Sequence, residues 1–296
     1  MIENKPFPDD LRAWVDRFLP GVEQVTDVSW PRSSSRVWRV AAGSSAAFVK
    51  VSPSETDYDR EVIGYAFAAR ALADHEAPWL MAADPDLRAI MSTPLPGQVV
   101  RGLPLEAGVE LRVHELAGRL LRRWHDHSTP ATEQDRQAVR TSMREQAQEA
   151  AACLESTARH LDGEQRNLVE AASWGLPGMA EKLPLVFQHG DYSTRNWLWD
   201  ANRGHLGLID FAMAHHGPAV EEFVWLCGAV WAVRPDLKAA YLAGYGRPLS
   251  SAEERLLLLL TTRLGVSYLN SGLVKQRPDL VERGQLILDR MAHPYR

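Results

Sequence analysis

Between residues 185 and 211 the chain changes texture, from a mainly helical pattern to strands and back. The stretch runs Leu185-Val-Phe-Gln-His-Gly-Asp191-Tyr-Ser-Thr-Arg-Asn196-Trp-Leu-Trp-Asp200, then Ala-Asn-Arg-Gly-His205, then Leu206-Gly-Leu-Ile-Asp210-Phe211. Three polar residues stand at the ends of its apolar runs: Asp191, Asn196 and Asp210. Apolar runs of strand length on either side of Asn202-Arg203-Gly204 predict a hairpin with its turn there. Such a hairpin returns Asn196 and Asp210 to the same open end. A carboxylate and an amide oxygen side by side suit a hard cation such as Mg2+, which takes few protein oxygens and completes its shell with substrate phosphates. Asp191 lies on the connecting loop, facing the same space without being consumed by a metal. A carboxylate free to orient a hydroxyl, next to a metal that neutralises phosphate charge, is what phosphoryl transfer requires.

The surroundings divide by period. Residues 9–19 predict a short amphipathic helix, stopped by Pro20-Gly21. Three short strands follow as a meander, with a break at Pro31-Arg-Ser-Ser-Ser35 and a Gly-Ser turn before Ala46-Ala-Phe-Val-Lys50-Val. Residues 55–74 switch to helical spacing, with Tyr58, Val62, Tyr65, Ala69 and Leu72 on one side. Two more strands are expected at 79–83 and 87–91, ending in Thr93-Pro94-Leu95-Pro96-Gly97, a strong break. Helices are then expected at 108–127, 132–160, 163–174, 219–231, 236–244, 251–272 and 278–291.

Composition adds one pointer. Of 33 basic residues only five are lysines, at 5, 50, 182, 238 and 275. Four lie in polar or segment-end settings, whereas Lys50 sits inside a strand between Val49 and Val51. A lysine near an apolar interior is costly unless carboxylates and phosphates complete it.

His189-Gly-Asp191-x-x-x-x-Asn196 followed by Leu208-Ile-Asp210-Phe211 resembles the signature of the aminoglycoside phosphotransferase and choline kinase family, a small-molecule branch of the protein-kinase-like fold. The earlier segments fall in that family's order, so the resemblance covers nearly the whole chain. It implies an α+β, two-lobe fold, with a sheet-rich nucleotide-binding lobe at 1–95 and a mainly helical catalytic and substrate-binding lobe at 96–296. It implies Asp191 as the catalytic base, Asn196 and Asp210 as Mg2+ ligands, and Lys50 on the α/β phosphates. Glu61 is the implied partner of Lys50, although Glu55 and Asp59 share the same helix start. No glycine-rich loop is present; Ser34 and Ser35 stand where phosphates would be covered. In the connector, prolines leave Leu95 as a backbone donor and Thr93 as a carbonyl acceptor for a purine. His189 is expected to brace the loop, and Glu221 or Glu222 to hold the catalytic segment or a cationic substrate while the other is solvated; for Arg195 in the catalytic loop, contact with the γ-phosphate is the less favoured reading.

The resemblance therefore implies a kinase moving the γ-phosphate of ATP or GTP, with Mg2+, to a hydroxyl of a small molecule. An antibiotic is the leading acceptor; choline, homoserine or another primary metabolite is the runner-up. A catalytically silent nucleotide-binding module is the rival class, and it usually lacks one of the four residues Lys50, Asp191, Asn196 and Asp210, all present here. A formal charge of −5 gives no electrostatic case for nucleic acid. Cys153 and Cys227 lack metal-ligand spacing. The start, MIENKPFPDD, lacks the apolar core of a signal peptide, and the leucine run 256–260 is short for a membrane span. The expectation is a soluble, cytoplasmic enzyme with no membrane partner.

Overall fold

The computed structural model describes residues 5–30 and 35–293. The chain forms two compact units. The first takes residues up to 104 and, from far along the chain, 189–215; the second takes 105–188 and everything from 216 onward. The expected lobes at 1–95 and 96–296 follow chain order, whereas the compact units follow packing and carry the Asp191–Asp210 segment with the N-terminal sheet.

In the first unit, helix α1 (Asp9–Val15) precedes strands β1 (Gln24–Asp27), β2 (Val37–Ala42) and β3 (Ser45–Val51), then helix α2 (Glu55–Ala71), β4 (Leu80–Asp84) and β5 (Ala89–Ser92). The strands form one antiparallel sheet in the order β1-β2-β3-β5-β4. Period-two alternation sorts its side chains. Trp38, Val40, Ala47, Val49, Val51, Ala89 and Met91 join Leu11, Trp14 and Val15 of α1 in one apolar cluster. Lys50 alternates with Val49 and Val51, so it points from the opposite face, and its register partners are Val37 and Ile90.

Strand β6 (Gln98–Val99) pairs with β8 (Trp197–Asp200), and β8 pairs with β9 (His205–Leu208). The hairpin turn falls at 201–204, where the Gly204 N–H donates to the Asp200 carbonyl at 2.8 Å. The hairpin is fastened to the rest of the unit by the Leu208 N–H on the Glu76 carbonyl (2.8 Å) and the Val100 N–H on the Trp197 carbonyl (3.0 Å).

The second unit contains α3 (Ala107–Asp126), α4 (Glu133–Thr157), α5 (Gly163–Gly175), β7 (Leu185–Gln188) paired with β10 (His215–Pro218), a run of tight turns around α6 (Val224–Leu226), α7 (Pro235–Tyr245), α8 (Ser251–Val274) and α9 (Pro278–Ala292). Helix α4 starts with a reciprocal cap between Thr132 and Asp135, and α8 with one between Ser250 and Glu253, the arrangement that satisfies orphan N–H groups at a helix start. Helix α8 is long and apolar enough to cross a membrane by length and composition, which a reading of the pure leucine run alone understates. Half of that apolar window is buried, with Leu256, Leu257, Leu259, Leu260, Val266 and Leu269 in the core. Trp231 is buried and stands 5.1 Å from Tyr241, ring centre to ring centre, as a core residue.

Candidate active site

Lys50, Glu61, Asp191, Asn196 and Asp210 all lie in the first unit. Ser54 caps α2, its hydroxyl accepting from the Asp57 N–H. The buried face of that helix runs through Tyr58, Glu61, Gly64, Tyr65, Ala68 and Ala71. Val62 and Ala69 lie off it, so the helix is rotated from the face expected from periodicity. The rotation brings a carboxylate inward: Glu61 is 1% exposed and its Oε1 lies 2.9 Å from Lys50 Nζ. Glu55 and Asp59 are exposed. Lys50 Nζ also donates to Asp210 Oδ1 at 2.7 Å, so one ammonium is shared by two carboxylates.

That sharing sets the protonation of all three groups. Burial pulls the Lys50 ammonium down, but Glu61 and Asp210 outweigh it and hold the lysine above its ordinary value. Burial pushes the Glu61 carboxyl up to about 7; Lys50 draws it back and Asp210 adds to the rise. Burial also acts to raise Asp210, but Lys50 at hydrogen-bond distance more than offsets it and the carboxyl falls below its usual value.

Asp210 is delivered by local backbone. Its φ is +69°, in the left-handed region that a non-glycine residue enters at a cost. Two neighbours hold it there. The Ile209 N–H donates to the Asn196 carbonyl (3.0 Å) and closes the hairpin mouth, while Phe211 is fully buried against Tyr65 of α2 (5.0 Å) and His189 (5.4 Å). Gly64 permits that approach, because a Cβ there would stand 2.4 Å from Phe211 Cβ.

The loop that presents Asp191 is equally determined. Gly190 has φ +81°, and a Cβ would stand 1.9 Å from the Met213 carbonyl oxygen, so the His-Gly-Asp order requires glycine at its centre. His189 is buried; its Nδ1 accepts from the Asp191 N–H (3.3 Å), which leaves Nε2–H to donate to the Ile209 carbonyl (3.1 Å). The histidine thus ties the Asp191 loop to the strand leading to Asp210. Asn196 Nδ2 donates to the Asp191 carbonyl (2.9 Å) and to Asp191 Oδ2 (2.8 Å). Two acceptors on one side fix the amide orientation, with Oδ1 at its opposite end. Arg195 closes on the same carboxylate oxygen through Nη2 (2.6 Å) and Nε (3.0 Å).

The donor set fits Mg2+. Asn196 offers an amide oxygen, and Asp210 keeps one carboxylate oxygen beyond the one held by Lys50, its side chain 30% exposed. Both are hard oxygen ligands and few in number, as a phosphate-bound Mg2+ prefers.

The remaining expected residues divide. The Thr93 N–H donates to the Trp79 carbonyl (2.9 Å), and its hydroxyl accepts from the Trp79 N–H (2.8 Å). The Leu95 side chain lies against Gly207 of the hairpin. Ser34 falls outside the described residues. Ser35 is buried, its hydroxyl accepting from the Trp30 N–H (3.0 Å) and its carbonyl from Lys5 Nζ. In the second unit, Glu221 accepts from Gln188 Nε2 (3.1 Å). Glu222 is 1% exposed, with its carboxylate 3.8 Å from His125, so it packs inside that unit and does not present a charge to a substrate. The pairing of Arg195 with Asp191 is the contact absent from the sequence reading. The available signal was an arginine four residues after the carboxylate within one tight loop.

The model of the phosphotransferase enzyme family matches residues 25–259, well over half of the chain and all of the site just described. The chain belongs to this family. Solved structures of phosphotransferases share its fold. The streptomycin–ATP ternary complex of APH(2")-IIa is 14% identical, covers 96% of this chain and 99% of that one, and superposes with a TM-score of 0.64. The GDP complex of aminoglycoside 2'-phosphotransferase-IIIa is 16% identical, with 96% and 99% coverage and a TM-score of 0.64. ADP-bound APH(2'')-Ib is 14% identical, with 98% and 99% coverage and a TM-score of 0.65. None of the curated proteins matches the chain.

Proposed function

We propose that this phosphotransferase moves the γ-phosphate of ATP or GTP to a hydroxyl of a small molecule, with an antibiotic as the leading acceptor class and cytoplasmic nucleotide as the donor. The observation that carries this reading is Lys50 divided between Glu61 and Asp210, in the same unit as an Asp191 carboxylate braced by Asn196. Family membership and the ATP-, GDP- and ADP-bound relatives support the nucleotide half. The aminoglycosides bound by relatives favour an antibiotic over choline or homoserine.

In this reading Lys50 binds the α/β phosphates, with Glu61 and Asp210 keeping its ammonium extended from β3. Asn196 Oδ1 and the second Asp210 oxygen would hold Mg2+, which when bound would neutralise charge on the transferring phosphates. Leu95 N–H and the Thr93 carbonyl read the purine edge; the N–H and hydroxyl of Thr93 are already engaged with the backbone of Trp79. Asp191 orients the acceptor hydroxyl and takes its proton as the oxygen bonds to the γ-phosphorus. The bond from that phosphorus to the β,γ-bridging oxygen breaks, and the nucleoside diphosphate leaves. Because the transition state is loose, positioning and charge neutralisation supply most of the acceleration. Asp191→Asn is the test: nucleotide binding by calorimetry stays, while phosphate transfer falls by orders of magnitude. Unchanged transfer would remove Asp191 from this role.

A further inference from the structure

Asp191 is held more tightly than a simple base needs, and the hold is asymmetric. The loop folds back on itself: the Ser193 N–H donates to the Asp191 carbonyl and the Asn196 N–H to the Ser193 carbonyl, both at 2.9 Å. The Arg101 N–H pins the Thr194 carbonyl at 3.0 Å. These turns return the side chains at 195 and 196 over Asp191. Three donors then converge on a single oxygen, Oδ2: Arg195 Nε at 3.0 Å, Arg195 Nη2 at 2.6 Å and Asn196 Nδ2 at 2.8 Å. Among the described residues the other oxygen, Oδ1, meets only the Ser193 hydroxyl, at the long distance of 3.5 Å.

We propose that Arg195 is the positioning residue of Asp191, saturating Oδ2 so that Oδ1 faces the acceptor hydroxyl. The inference rests on the assignment of Asp191 to the acceptor proton. A stability role does not account for the pair, since Arg195 is 39% exposed and open ion pairs contribute little to folding. Lysine cannot reproduce the contact, because one ammonium lacks the planar pair of N–H groups that meet Oδ2.

The test is steady-state kinetics with ATP, Mg2+ and an acceptor found by mass-spectrometric screening, alongside calorimetric nucleotide binding as a check of folding. Arg195→Gln is expected to lower kcat by about 10- to 100-fold, with KM for ATP changed less than about threefold. Arg195→Lys is expected to recover only part of the loss. Free guanidinium is expected to restore Arg195→Gly saturably, which a merely structural defect would not show. In an Asp191→Asn background, Arg195→Gln is expected to cost nothing further. Wild-type kcat in Arg195→Gln, a loss confined to KM for ATP, or full additivity with Asp191→Asn would each overturn the proposal. If Asp191→Asn alone keeps wild-type turnover, the base assignment has failed; if it drops while Arg195→Gln does not, only the arginine's role has failed.

Discussion

Around Lys50 one cation is divided between two carboxylates; around Asp191 one carboxylate collects a guanidinium and an amide. Ionised, the first assembly carries an excess negative charge and the second carries none. The first is anchored inside the sheet–helix packing, with Glu61 buried on α2, while Arg195 in the second stands open to water. The difference matches what each has to meet. A net-negative cluster with a spare carboxylate oxygen gains from a divalent cation arriving with phosphates. A neutralised carboxylate can sit near the same phosphates without repelling them.

Each side of that comparison can be broken separately. The largest effect is expected from Asp191→Asn, which should lower kcat by roughly 100- to 10,000-fold, the scale of general-base catalysis, without loss of nucleotide binding. Gly190→Ala attacks the backbone under the same loop. With φ at +81° and a carbonyl in the way, it should cost roughly 2–4 kcal/mol, read as a lower Tm by calorimetry or circular dichroism. An unchanged Tm would mean the loop reaches Asp191 by another path. On the Lys50 side, Asp210→Asn should weaken Mg2+-dependent nucleotide binding by about 10- to 100-fold, measured by titration with and without Mg2+.

The smallest effect separates the two assemblies by pH. Glu61 is raised from its ordinary value of 4.5 to about 7 in the folded protein. Between those values the folded state holds a proton that the unfolded chain has released, so this group's contribution is full below pH 4.5 and fades as pH rises toward 7. Asp210, lowered by Lys50, acts in the opposite sense and contributes above its unfolded pKa. Glu61→Gln should therefore flatten the fall of Tm between about pH 4.5 and 7 by a few degrees. Arg195→Gln should leave that slope alone.

Much of this was legible from local pattern. The strands around Lys50, the hairpin turn at 202–204 and the order of the helices follow from periods and breakers that act over a few residues. Asp191, Asn196 and Asp210 were legible because strand ends and a turn fix where they emerge. What the sequence left open was rotation and reach. Three acidic residues shared the start of α2, and only packing of Gly64 and Tyr65 against Phe211 turned Glu61 toward Lys50. Glu221 and Glu222 were equal candidates in the sequence, yet it is Glu222 that is buried next to His125. Lys5, read as an ordinary polar lysine, fastens the N-terminal segment by donating its N–H to Asp27 Oδ2 (2.7 Å) and its ammonium to the Ser35 carbonyl. Contacts between residues so distant in sequence carry no local signal.

The central claim is that a hydroxyl, oriented by Asp191, receives a phosphoryl group from a nucleotide held at Lys50 and Asp210. The most direct measurement incubates the protein with ATP or GTP and Mg2+ against a mixed panel of antibiotics and hydroxylated metabolites, read by mass spectrometry. The account predicts that a panel member gains the mass of one phosphate, and that the gain disappears with Asp191→Asn. Tight nucleotide binding with no transfer to any member, or transfer that Asp191→Asn leaves untouched, would contradict it.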